Sequence, residues 1–235
     1  MRGVWRNGFF ALSACLTILP SGWMSESAWS MEQADRDDGT EWVDPEELDL
    51  LRIAAVNEGE LVFLHEPPLK PVHQHHSRMV ITRQSLTDGW VLMEQCHESL
   101  DRVAEAQIVF NAGRTRELEV LSFHNMDKAF VESGTIQLRG VREASNVCAR
   151  LETRALHSLG MQTYELQNGP FMRRFLDGYY PMKLSLQVEY PPNLELVDYA
   201  PENQPGYTVS STPGLVGVEA LFEGKLRTRF RFSGN

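Results

Sequence analysis

The densest concentration of metal-binding side chains in the 235-residue chain is His73-Gln74-His75-His76. On a strand His73 and His75 share a face with Cα atoms roughly 6.5–7 Å apart, a spacing from which two imidazoles can converge on one copper or zinc ion. The candidate metal set is His73, His75 and His76. His65, ahead of the Pro67-Pro68 bend, can fold back toward it, and Met79 is a soft donor suited to copper. A solvated polar strand or loop after Pro71 is the plain structural alternative.

Two further clusters stand out. Phe171, Arg173, Arg174, Phe175, Tyr179 and Tyr180 lie within ten residues of one another. Aromatics beside arginines anchor protein interfaces, and they also plug the end of a sandwich. In the second cluster, Lys225, Arg227, Arg229 and Arg231 alternate with Leu226, Thr228, Phe230 and Phe232, placing cations on one strand face and mostly apolar groups on the other. That stripe can grip an anionic envelope component or the acidic N-terminal tail, or it can be the solvated face of an edge strand.

For catalysis the sequence offers no Gly-x-Ser-x-Gly elbow, no His-Glu-x-x-His pair and no phosphate-cradling glycine loop. Glu98, Asp101 and Asp177 read as surface charge, and no catalytic residue is nominated. No bound cofactor is expected beyond a copper or zinc ion.

The elements that must position these groups are strands. From Gly59 onward apolar residues recur with period two between Gly, Pro, Asn and Asp, the pattern of an antiparallel β-sandwich. Hairpins are predicted at Asp88-Gly89, Ser133-Gly134 and Glu223-Gly224. A two-residue turn at the first sets Ile81 opposite Cys96, Arg83 opposite Glu94 and Val80 opposite His97. That register removes His97 from the histidine cluster by roughly 13 Å. The second turn sets Val131 opposite Ile136 and Ala129 opposite Leu138. Residues 147–159 fit both helix and strand periodicities, with strand preferred, and 168–178 read as a short helix started by Pro170 and stopped by Gly178.

Compartment follows from the N-terminus and the cysteines. Arg2 and Arg6 precede an apolar run, Gly8 to Leu19, too short to span a bilayer, so 1–30 read as a secretion signal cleaved after Ser30 or Ser27. A lipoprotein-type box ending at Cys15 is the lesser alternative, with a lipid anchor in place of a free periplasmic or secreted chain. Export leaves Cys96 and Cys148, an even count that predicts a disulfide, with two buried thiols as the alternative. Closing that loop stabilises the fold by about 4 kcal/mol in the chain-entropy model.

Residues 31–58 form an acidic tail ending in a short helix, Pro45 to Val56, capped by Asp44. The sandwich occupies 59–235, with 168–181 as the place where it would divide into two modules. A net charge of −10 argues against nucleic acid, and 42% hydrophobic with 23% charged residues excludes wholesale disorder and a multi-span membrane protein. The resulting expectation is an exported, non-enzymatic binding or assembly protein of the bacterial cell envelope. Its partner would be an envelope protein or an anionic envelope component, with no transmembrane span once the signal is removed. The rival is a periplasmic copper- or zinc-binding protein.

Overall fold

Alternation of buried and exposed side chains governs almost every element. In Leu215–Glu223, Val216, Val218, Ala220 and Phe222 are buried while Glu219 faces solvent, as a strand packed on one face requires. The computed structural model describes residues 57–234 apart from 67 and 70. The expected secretion signal, most of the expected acidic tail and the expected Pro45–Val56 helix lie outside the described residues.

The chain runs through β1 (Val62–Phe63), β2 (His73–Val80), β3 (Trp90–Leu100), β4 (Val103–Val109), β5 (Thr115–His124) and β6 (Lys128–Glu132). It continues through β7 (Thr135–Val141), β8 (Ser145–Arg154), β9 (Leu156–Gly160), β10 (Thr163–Phe171), β11 (Arg173–Phe175) and β12 (Gly178–Tyr180). The last strands are β13 (Met182–Glu189), β14 (Leu194–Ala200), β15 (Tyr207–Thr212), β16 (Leu215–Glu223) and β17 (Leu226–Gly234). The fold is mainly β, as the period-two pattern predicts. Among the described residues no helix is long and apolar enough to cross a membrane.

An eight-stranded sheet has the order β1-β16-β13-β2-β3-β8-β5, with β15 also paired to β16. Its strands pair antiparallel except β2 and β13, which are parallel. A four-stranded sheet, β14-β17-β10-β9, lies across from it. Contacts spanning the two include the Tyr190 and Phe232 rings, 4.8 Å apart, and Asn168 Nδ2, which donates to Met79 Sδ at 3.0 Å. Between them Met79, Leu184, Leu186, Val188 and Phe222 meet Leu166, Leu226, Phe230 and Phe232 in the larger core. Each such side chain contributes about 1.5–3 kcal/mol when fully buried.

A three-stranded sheet, β4-β7-β6, packs a second, smaller core. There Ile136, Leu138 and Val141 meet Val147 and Ala149 of β8. Cys96 and Cys148 stand directly opposite each other on β3 and β8 and form the expected disulfide.

The Ser133-Gly134 turn and its register are as predicted, Val131 facing Ile136 and Ala129 facing Leu138. Residues 147–159 are strand, in β8 and β9, apart from Ala155 between them. Three local expectations are overturned. Asp88-Gly89 is the end of a helical turn, Ser85–Asp88. Thr82 N–H donates to Ser85 Oγ at 2.9 Å and Ser85 N–H to Thr82 Oγ1 at 3.2 Å, so side chains close that turn and Gly89, at φ +79°, stops it. The chain therefore reverses through the segment between β2 and β3, and His76, not Ile81, faces Cys96.

Glu223-Gly224 makes no hairpin either: β16 belongs to the large sheet and β17 to the four-stranded one. A Cβ on Gly224 would meet the Glu60 carbonyl oxygen, so the corner needs glycine where the chain ahead of β1 crosses it. Residues 168–178 are not helical. Gly169 at φ +98° ends the possibility of a continuous helix, and Arg173–Phe175 pairs with Gly178–Tyr180 instead.

Candidate functional site

The five-residue displacement of the β2–β3 register decides the site. An odd shift exchanges the faces of a strand relative to its neighbour. His75 consequently stands opposite His97, and Ser77 opposite Gln95, all four buried on the inner face of the large sheet. His73 precedes them on the same face. The cluster is bordered by Leu184 and Leu186 of the larger core on β13, and by Val147 and Ala149 of the smaller core on β8. It is a polar strip between two apolar masses.

The three rings interlock. His73 Nε2 and His97 Nδ1 are 2.9 Å apart, and His97 Nε2 lies 3.2 Å from the Gln95 side-chain nitrogen. With the Gln95 amide donating to His97 Nε2, the proton of His97 sits on Nδ1 and is donated to His73 Nε2. Turning the carboxamide end for end reverses both bonds. The His75 ring lies 4.3 Å from that of His97 and meets the edge of Phe171 at 5.3 Å. Among the described residues the His75 Nε2 and the Ser77 hydroxyl, both buried, have no hydrogen-bond partner.

All three imidazoles resist protonation. Burial pushes His73 down to about 4, helped by the Arg173 cation and opposed by Asp101. Burial pushes His75 down to about 3, with the charges of His73 and His76 adding to it and Gln95 opposing it. His97 is lowered well below the ordinary range by burial and by His75 and His73. At neutral pH the cluster is uncharged, with ring nitrogens available as acceptors or ligands. Among the described residues no three or more His, Cys, Asp or Glu side chains already surround one ion position.

The remaining sequence candidates divide by face. His76 points outward, 3.9 Å from Glu98 across the outer surface of the sheet, and is not part of the inner cluster. His65 is exposed, and Met79 is buried with its sulfur accepting from Asn168.

The aromatic-arginine segment adjoins the cluster, because Phe171 packs on His75 and Arg173 lies beside His73. Phe171 and Tyr179 are buried and root the β11–β12 hairpin. Arg173 grips both Asp101 oxygens and donates to the Pro181 carbonyl at 3.0 Å, with its guanidinium 5.7 Å from the Tyr180 ring. Arg174 donates to the Leu176 carbonyl at 3.1 Å. At the tip Phe175 is 54% exposed and Leu176 77%.

The basic stripe is not on an edge strand, since β17 lies between β14 and β10. Asp198 takes Arg229 at 2.7 Å and Glu165 takes Arg231 at 3.1 Å. Arg229 and Arg231 are thereby neutralised, while Lys225 lies over the Tyr179 ring and Arg227 is exposed.

His97 and Gln95 are the site residues that sequence reasoning missed. Their alternation with Met93 and Val91 marked an inward face, but only the length of the preceding turn says which histidines they meet. No protein-family model matches the chain, and no curated protein matches it in sequence.

Proposed function

We propose that this chain is an exported, non-enzymatic binding or assembly protein of the bacterial cell envelope, and that the β11–β12 hairpin is its contact element. The observation that carries this reading is the contrast along the hairpin. Its base is pinned by buried Phe171 and Tyr179 and by the Arg173–Asp101 pair, while Phe175 and Leu176 stand in solvent at its tip. A rigid root with an apolar tip presents contact area at little entropic cost on binding. The disulfide fits an oxidising compartment. The pairing of Arg229 and Arg231 with Glu165 and Asp198 favours a protein partner over an anionic glycan or lipid.

A photocrosslinking side chain placed at Phe175 tests this in intact cells. One recurrent protein adduct is expected there and none from the same group at Met161, a still more exposed apolar site on another turn. Leu176→Ser should reduce the adduct at least tenfold. A chain that stays monomeric and gives no adduct at Phe175 removes the reading.

A second reading, a periplasmic copper- or zinc-binding protein, is supported by three neutral imidazoles on the inner face, His75 and His97 buried and His73 half-buried.

A further inference from the structure

The interior histidines have a feature that core packing alone does not explain. A buried acceptor without a partner costs about 1–3 kcal/mol, and apolar side chains surround this strip on both sides. Yet His75 Nε2 is left unpaired beside a His73–His97 pair whose facing nitrogens are 2.9 Å apart. Two imidazole nitrogens bound to one tetrahedral ion at ordinary zinc distances lie about 3.3 Å apart. The pair therefore needs to open by only a few tenths of an ångström to admit a metal ion, the proton between the facing nitrogens passing to the far nitrogen of its own ring, His97 Nε2 or His73 Nδ1.

We infer that His73 Nε2, His97 Nδ1 and His75 Nε2 form a three-imidazole site for one divalent copper or zinc ion. This inference rests on the second reading above and replaces His76 by His97 in the ligand set. The pair is preformed, and His75, whose ring already lies 4.3 Å from that of His97, turns about its side-chain bonds to close the third position.

One further observation fits. The Gln95 carboxamide, turned so that its oxygen accepts from His97 Nε2–H, leaves the Nδ1 lone pair free for the ion, which is how ligating imidazoles are oriented in metal sites.

The test is titration of the chelator-stripped full chain, disulfide intact, with Cu²⁺ and with Zn²⁺. It is read by calorimetry and, for Zn²⁺, by the ¹⁵N resonances of the histidine rings. One equivalent is expected to bind tighter than micromolar, shifting the ring nitrogens of His73, His75 and His97 together and leaving His76 unmoved. His97→Gln and His73→Gln should weaken binding at least 100-fold, and His76→Gln less than threefold. The ring resonances are measured on the unsubstituted chain, so the assignment stays open to refutation even where a variant fails to fold. Absence of binding tighter than micromolar overturns both this site and the copper or zinc reading. Binding lost in His76→Gln but kept in His97→Gln overturns the site alone.

Discussion

Two polar stripes run along the strands of this molecule, and they solve the same problem in opposite ways. On β17 Arg229 and Arg231 face outward, and each guanidinium meets a carboxylate of a neighbouring strand, Asp198 on β14 or Glu165 on β10. On β2 and β3 His73, His75 and His97 face inward, between two apolar cores, and the cluster contains no carboxylate. The outer stripe keeps its charge because counter-charge and water surround it. The inner stripe gives its charge up. A sheet thus tolerates polar residues on either face, but the buried imidazoles stay uncharged to a lower pH than exposed ones and keep ring nitrogens available to a ligand.

The sharpest break between the stripes is acid. Unfolded imidazoles take up protons near pH 6.5, whereas the folded ones do so only near 4 for His73 and near 3 for His75. Between those values the unfolded chain holds more protons, so stability is full above pH 6.5 and falls as the pH drops. Each such histidine contributes a slope of about 1.4 kcal/mol per pH unit. The urea midpoint is expected to fall steeply from pH 6.5 to 4. The outer carboxylates act later: the Gln167 amide and then Arg231 hold Glu165 below its ordinary range, and Arg229 does so for Asp198. Their contribution is present above about pH 4 and lost only below it. A flat midpoint from pH 6.5 to 5 would mean that the inner histidines are not held neutral by the fold.

A smaller effect is expected from His75→Leu, which removes the unpaired nitrogen and fills its place with apolar volume. The variant should gain about 1 kcal/mol at pH 7. The advantage should grow by about 1.4 kcal/mol for each pH unit below 6.5. Chemical denaturation at pH 7 and pH 5 reads both, and a loss of stability at both would show that His75 holds a partner essential to the core.

The smallest effect is expected on the outer stripe. Arg229→Gln should shift Tm by less than about 3 °C and leave the slope between pH 6.5 and 4 unchanged, because its pair with Asp198 is only part-buried and so partly screened and solvated. A larger shift in a thermal melt would make that network a structural element comparable to the core.

Much of the fold was legible because alternation is local information. Val216, Val218, Ala220 and Phe222 announce a buried face without reference to any partner. The Ser133-Gly134 hairpin is equally self-contained: both residues take positive φ and the two strands follow in register. The Asp88-Gly89 pair carries the same signal and means something else, because Thr82 and Ser85 close a helical turn ahead of it. The aromatic-arginine segment was visible as a unit, but its division into the buried roots Phe171 and Tyr179 and the exposed tip at Phe175 depends on which side of β10 and β12 meets the core.

By itself the sequence determined the mainly β architecture, the inward and outward faces of most strands and the two cysteines that pair. These rest on period-two patterning and on residue count, which need no knowledge of neighbours. The tertiary structure alone decided which histidines meet. Register is a relation between strands, here governed by a turn closed through side-chain hydrogen bonds. An odd displacement of that register takes His76 off the face that His97 shares and puts His73 and His75 there instead.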